Sequence, residues 1–454
     1  MDLANAGRGV PGRGVTIAAA VLLAAALAFG GGSRGEGDLV VHCVAAPAFA
    51  VALLHWRHAQ ASRLQRGFLY LLAAAAAWML VQLLPIPAAW FARLPGRGEM
   101  LHELDLAGVR DAWLAISLDP YATLRALLAL LVFAASWMLA TLLPAPTRER
   151  LLKGVLAAAF LMALLGFAQA AAGRYSALRP YDFHHDTGAL GVFANRNHFA
   201  DLMAMMIPFA IGLATQAFER GRTPAGTMLW SGATVVMFLA AALSYSRTGF
   251  ALACLALVAG WWVQRGQRER TRRAPGMARW GMPLAVVASC AVAVAYYAWR
   301  GIVQRLDQDP LDDLRWQYLR NGLAAAHAHW PWGSGFGSFR AVYAPFEPVA
   351  EMVGSRALHA HDDLLEIAIE AGLPGIVLTA CGVVLLAWAI AGALRRRSAG
   401  DRVAVAAAIA TAIPLLHALV DYPLRTLAVA GAFGLVVAAL LAPPGRGAES
   451  SGNP

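Results

Sequence analysis

The chain reads as a succession of apolar runs of about 20 residues broken by short polar stretches. That is the length at which a helix crosses the ~30 Å hydrocarbon core of a bilayer. The runs predict spans at 15–32, 38–55, 67–84, 121–143, 151–173, 198–217, 229–245, 248–264, 281–299, 374–394, 403–421 and 426–442. From Leu229 to Val263 the one formal charge is Arg247. As a single helix that stretch would run to roughly 50 Å, too long for one crossing. It is therefore expected to fold back at Ser244–Gly249, which leaves an arginine at a hairpin between two spans.

Basic residues gather in alternate loops. Arg57, Arg63 and Arg66 lie in one, Arg148, Arg150 and Lys153 in another. Arg265, Arg268, Arg270, Arg272, Arg273 and Arg279 fill a third, and Arg395, Arg396, Arg397 and Arg402 a fourth. Positive loops mark the cytoplasmic side. The pattern predicts a single polytopic domain over 1–454 with both termini cytoplasmic and a short tail at 443–454. The segments 85–120, 174–197 and 300–362 then become periplasmic loops, the last lying between spans nine and ten. Loops of that length are usually functional or disordered. The third carries Trp316, Trp330, Trp332, Phe336, Phe339, Tyr343 and Phe346, which argues against disorder. Helical spacing of apolar residues predicts a helix over Asp312–Trp330, followed by a tight turn at Pro331–Gly337. The AFGGGSRG stretch has the small residues of a signal-peptide cleavage site, but the first run is long and the next follows at once, so a span is expected.

Composition agrees with an all-α integral membrane protein: 59% of residues are hydrophobic, 14% are charged and the mean hydropathy is +0.56. A soluble domain carries about 25% charge. The net charge of +10 sits in the short loops, so it is read as a topology signal and not as a nucleic-acid surface. Cys43, Cys254, Cys290 and Cys381 all fall inside apolar runs and are read as packing residues.

Three polar constellations can carry chemistry. The densest is His359-Ala-His361-Asp362-Asp363, opening a short helix that ends at Gly372-Leu-Pro374-Gly375. Asp362, Glu366 and Glu370 fall on one face of it. A histidine there can take a proton from a hydroxyl, and a neighbouring carboxylate can orient it. The same residues could instead cap and solvate a helix at the water boundary, or bind a metal, although H-x-H-D-D is not a closed ligand set. The second is Arg247, whose guanidinium suits the paired oxygens of a diphosphate, or which could snorkel at its turn. The third is Asn195-Arg196-Asn197-His198, entering span six, where Arg196 could bind anionic oxygens with Asn195 and Asn197 as uncharged donors, or the asparagines could cap the helix. His184-His185-Asp186 in the same loop reads as solvated surface.

The segments FANRNHFADLMAMMIP, SYSRTGFALACL, PWGSGFGSFRAVY and HAHDDLLEIAIEAGLPG occur in that order. Through them the chain resembles the O-antigen ligase and polymerase superfamily of membrane glycosyltransferases, which has the GT-C-type fold. The most specific piece is His361, the next residue, nine more, Gly372 and Gly375. The family usually has an amide or hydroxyl where this chain has Asp362. The resemblance implies a metal-independent, inverting transfer from an undecaprenyl-diphosphate-linked glycan, with no cofactor. It implies His361 as the catalytic residue that assists the acceptor hydroxyl. Arg247 and Arg196 would bind the diphosphate, with His359, Asp362 and Asn197 also lining the substrate site.

The expected acceptor is lipid A core, as in a ligase at the inner membrane. Polymerisation of O-antigen or exopolysaccharide repeats is the alternative, and the short tail argues against protein glycosylation. A polysaccharide transporter or flippase would place polar groups through both halves of the membrane and show internal repeats. No such repeat is evident in the sequence.

Overall fold

The computed structural model describes residues 12–32, 35–57, 59–109, 112–173, 175–181, 188–219, 224–268, 314–349, 357–396 and 402–443, together with 288 and 292. Apart from residues 288 and 292, the predicted ninth span at 281–299 lies outside the described residues, as does the His184-His185-Asp186 segment.

Helices dominate: α1 (Arg13–Phe29), α2 (Gly35–Trp56), α3 (Arg63–Gln82), α6 (Pro120–Leu142), α7 (Ala145–Ala172), α8 (Arg196–Glu219), α9 (Pro224–Leu243) and α10 (Arg247–Arg268). Then follow α11 (Leu314–Ala328), α12 (Phe339–Tyr343), α13 (Asp363–Arg396), α14 (Arg402–His417) and α15 (Leu427–Leu440). Seven of these are long and apolar enough to cross a membrane, and α1, α10, α14 and α15 are shorter apolar helices. The predicted hairpin is present, with α9 turning into α10 through Ser244–Ser246, where Ser246 Oγ accepts from the Gly249 amide at 3.1 Å.

Helix α8 forms the centre, packed by α9, α10 and α14, while α15 lies against α6. Every residue of α15 is buried. Outward-facing apolar side chains such as Tyr70, Leu161, Met228, Val258 and Trp388 stay exposed, as a lipid-facing surface requires when the surrounding solvent is hydrocarbon.

The segment 85–120 is more ordered than its sequence suggests. Pro85-Ile86-Pro87 cannot donate a helical ladder at its prolines; it forms strand β1, paired antiparallel with β2 (Trp113–Ala115), and carries the short helices α4 (Ala88–Phe91) and α5 (Gly98–Leu106). Arg97 is buried within it and donates to the carbonyls of Pro95, Ile116 and Gly333. This segment is thereby fastened to the Pro331–Gly337 turn.

That turn is in turn fastened to a break in α13. The expected helix stop at Gly372 is instead a kink, with Gly372 at φ 61° and ψ −152° and the helix resuming immediately. The Glu370 carbonyl would ordinarily be bonded by the amide of residue 374, but Pro374 has none. Gln82 Nε2 and the Gly335 amide bond it instead. Leu373 donates to Pro331 O, Ser334 donates to Ile369 O, and Trp78 Nε1 reaches Ala371 O. A Cβ on Gly372 would meet Pro331 O at 2.1 Å. Gly372→Ala is therefore expected to cost about 3 kcal/mol or more through backbone strain and collision. The measurement is the unfolding midpoint in detergent, and an unchanged midpoint would contradict the role given to the kink.

Candidate active site

The starts of α8, α10 and α13, the end of α14 and the start of α15 meet at one end of the bundle, beneath α11. Helix α14 runs on into the bend Ala418–Thr426, and that bend carries Asp421, Tyr422 and Arg425.

His361 precedes α13 with φ 53°, in the left-handed region that few non-glycine residues occupy. Its side chain is 30% exposed, and Nδ1 lies 3.3 Å from Asp421 Oδ1. With Nδ1–H donated to a carboxylate, Nε2 is left as an acceptor for a hydroxyl proton. The Tyr318 ring of α11 stacks parallel to it at 6.0 Å, and Tyr422 lies at 5.1 Å on another side. His359 is held in the same manner, with Nδ1 at 2.8 Å from Glu366 Oε1 and its ring 3.9 Å from that of Tyr422. Two histidine–carboxylate pairs thus flank one tyrosine.

Asp421 is fully buried and is the hub of the cluster. It accepts from His361, from its neighbour's amide at Tyr422 and from Asn197 Nδ2, and His198 Nε2 lies 4.0 Å away. Burial alone would push its carboxyl upward. The hydrogen bond from His361 and the nearby charges of His198, His361 and His417 outweigh that and hold it well below the usual carboxylate range. Asp421 is therefore an anion at every physiological pH. Burial, then the Asp421 charge, push the Tyr422 phenol upward, so it remains a hydroxyl.

Arg425 ties the bend to α13. Its Nε is 2.8 Å from Asp363 Oδ1, and Nη1 is 2.9 Å from Glu366 Oε1 and 3.0 Å from Glu370 Oε2. Glu366 also accepts the Ala360 amide, and Glu370 the Phe339 amide. One guanidinium thus fixes the helix that positions both site histidines.

The sequence-selected residues separate into three groups here. His361 and His359 stand at the centre, partly open. Asn197 points at Asp421, so its anionic partner is a side chain of the protein itself, while Asn195 Oδ1 caps α8 through the Asn197 amide. Asp362 turns back to accept the Leu364 and Leu365 amides at 2.9 and 3.1 Å. That is helix N-capping, a task that Asp, Asn and Ser all perform well, and it accounts physically for an acid at this position. Arg196 and Arg247 are the first residues of α8 and α10. The two helices pack at their starts: a Cβ on Gly249 would lie 2.4 Å from that of Ala200. Arg247 is exposed and Arg196 half-buried, so two positive helix ends, each opening with an arginine, lie side by side.

Sequence reasoning passed over Asp421, Arg425, Tyr422 and the buried Asp201–His417 pair, in which His417 Nδ1 is 3.0 Å from Asp201 Oδ1. Among the described residues, no three of His, Cys, Asp and Glu converge in a metal-ligating arrangement.

Residues 232–380 match the family model for O-antigen ligase. Comparison with curated proteins gives no match. The matched segment contains Arg247, His359, His361, Asp362 and the three carboxylates of α13, whereas Asn197 and Asp201 precede it and Asp421 and Arg425 follow. Over residues 232–380, then, the chain is similar to the O-antigen ligase family.

Proposed function

We propose that this protein transfers a glycan from undecaprenyl diphosphate to an acceptor hydroxyl at the periplasmic face of a bacterial inner membrane, with lipid A core as the acceptor. The observation that carries the reading is His361: partly exposed, anchored at Nδ1 by a buried carboxylate, and set at the end of the bundle where Arg247 and Arg196 begin their helices.

In this reading the acceptor oxygen attacks the anomeric carbon from the face opposite the diphosphate, and the configuration inverts. Its proton passes to His361 Nε2 while Asp421 balances the imidazolium. The bond from the anomeric carbon to the diphosphate oxygen breaks, and the electron pair leaves with the diphosphate. Arg247 and Arg196 stabilise that developing charge with guanidinium hydrogen bonds and need no metal to do so. Tyr422, half-buried beside His361, offers a flat surface for a sugar ring, and Tyr318 backs the His361 ring from the buried side. The polyprenyl tail approaches laterally through the bilayer.

His361→Ala and Arg247→Ala are each expected to lower transfer by at least about 100-fold. The assay is a strain lacking the native protein, complemented at matched membrane levels, with surface polysaccharide and lipid-linked glycan both measured. Glycan retained on its carrier supports the reading, and normal surface polysaccharide in both variants overturns it. Product length separates the alternative reading. A polymerase extends the lipid-linked glycan itself, whereas a ligase moves it onto core lipid.

A further inference from the structure

Behind Asp421 lies a second carboxylate–imidazole pair that the proposed chemistry does not use. Asp201 on α8 and His417 at the end of α14 are both fully buried. Asp201 Oδ1 lies 3.0 Å from His417 Nδ1, and His417 Nε2 lies 3.9 Å from Asp421 Oδ2. Asp421 Oδ1 in turn meets His361. The order is therefore Asp201, His417, Asp421, His361, acid and imidazole alternating from the interior to the open site. Asp201 sits one turn beyond Asn197 on the same face of α8, so a single helical face holds both the hub and the pair behind it. Among the described residues, Asp201 Oδ2 and His417 Nε2 have no hydrogen-bond partner. Polar atoms that deep are costly to leave unbonded, which is unusual for a pair with only a packing role.

We propose that Asp201 and His417 are positioning residues that share one proton as a neutral pair, reserving the negative charge of Asp421 for His361. The inference rests on His361 acting as the base. A neutral pair leaves one net negative charge on the chain of four groups, and that charge is balanced when His361 takes the acceptor's proton. Without Asp201, a protonated His417 would be left facing Asp421 and would consume that charge. Without His417, two buried carboxylates would share the site with too few counter-charges. Among the described residues, the charged and titratable groups facing His417 are Asp201 and His198 on α8, Asp421 at the bend and Arg315 on α11.

The test uses the full chain in nanodiscs, with lipid-linked glycan and core lipid extracted from the host strain. Asp201→Asn is expected to lower kcat about 10- to 100-fold near neutral pH with KM little changed. The loss should be deepest at acid pH and shrink as pH rises and His417 gives up its proton. His417→Gln is expected to fall at least as far. The double variant Asp201→Asn/His417→Gln removes both charges together, so it should transfer faster than either single variant. A purely structural pair predicts losses that are equal at every pH and a double variant no better than the worse single one, and that result would overturn the inference. His361→Ala in the same assay separates the two claims. If it stays fully active, the base assignment itself fails; if it is inactive while Asp201→Asn keeps the wild-type pH profile, only the positioning pair is lost.

Discussion

Asp421→Asn is expected to reduce glycan transfer by about two to four orders of magnitude while leaving the protein folded. The substitution is isosteric and keeps a hydrogen-bonding group within reach of His361, but it removes the charge. A histidine that must accept a proton gains two things from a buried carboxylate at its far nitrogen. The tautomer is fixed so that the reactive nitrogen is unprotonated, and the imidazolium is stabilised as it forms. Losing both in a water-poor site accounts for an effect of this size. The buried setting of Asp421, among His361, His198, His417 and Asn197, makes its charge count for more than it would in water. The measurement is kcat in reconstituted membranes, with size-exclusion behaviour in detergent as the folding control. A variant that folds and retains a third of the wild-type rate would show that Asp421 does not support a base at His361.

How much of this was open to a reader of the sequence depends on the distance over which each signal acts. The helices are legible because a run of about 20 apolar residues is a local property, and the hairpin at Ser244–Ser246 follows from length alone. His361 and the break at Gly372 are also local, carried within a fifteen-residue motif, although that motif reads as a helix stop where the structure has a kink. The partners of His361 are not. Asp421 lies 60 residues further along, and Asp201 and His417 are separated by 216. Their only trace is one titratable residue at a time inside or at the end of an apolar run. The rule that marked Arg247, that a charge in a membrane span is costly and so usually functional, applies equally to Asp201 in the predicted span 198–217 and to His417 in 403–421. What the sequence withholds is the pairing. The face of Asp362, Glu366 and Glu370 illustrates the same limit: helical spacing aligns them, but Asp362 caps the helix while Glu366 and Glu370 turn inward to Arg425. A helical wheel reports the face and leaves open what covers it.

The largest effect on stability is expected from Arg425→Met. Asp363, Glu366 and Glu370 are all buried, and Arg425 is the cation they share. Removing one partner from such a cluster leaves uncompensated buried charge and typically costs 3–5 kcal/mol. With three carboxylates around one guanidinium, the upper end of about 5 kcal/mol is expected here. Methionine keeps most of the side-chain volume, so a cavity contributes little. The variant should show a sharply lowered unfolding midpoint and poor recovery from membranes. Adding Glu366→Gln and Glu370→Gln removes the surplus charge and should restore most of the midpoint, because residues in one network couple strongly. Activity should not return with it. Glu366 is also the anchor of His359 at 2.8 Å and the acceptor for the Ala360 amide, so the triple variant regains its fold with the site histidines loosened. Recovery of the midpoint without transfer would separate the two tasks of this cluster, holding α13 against the bend and presenting His359 and His361. Recovery of both would mean that Glu366 serves only the fold, and failure to recover either would place the cost of losing Arg425 somewhere other than its three carboxylates.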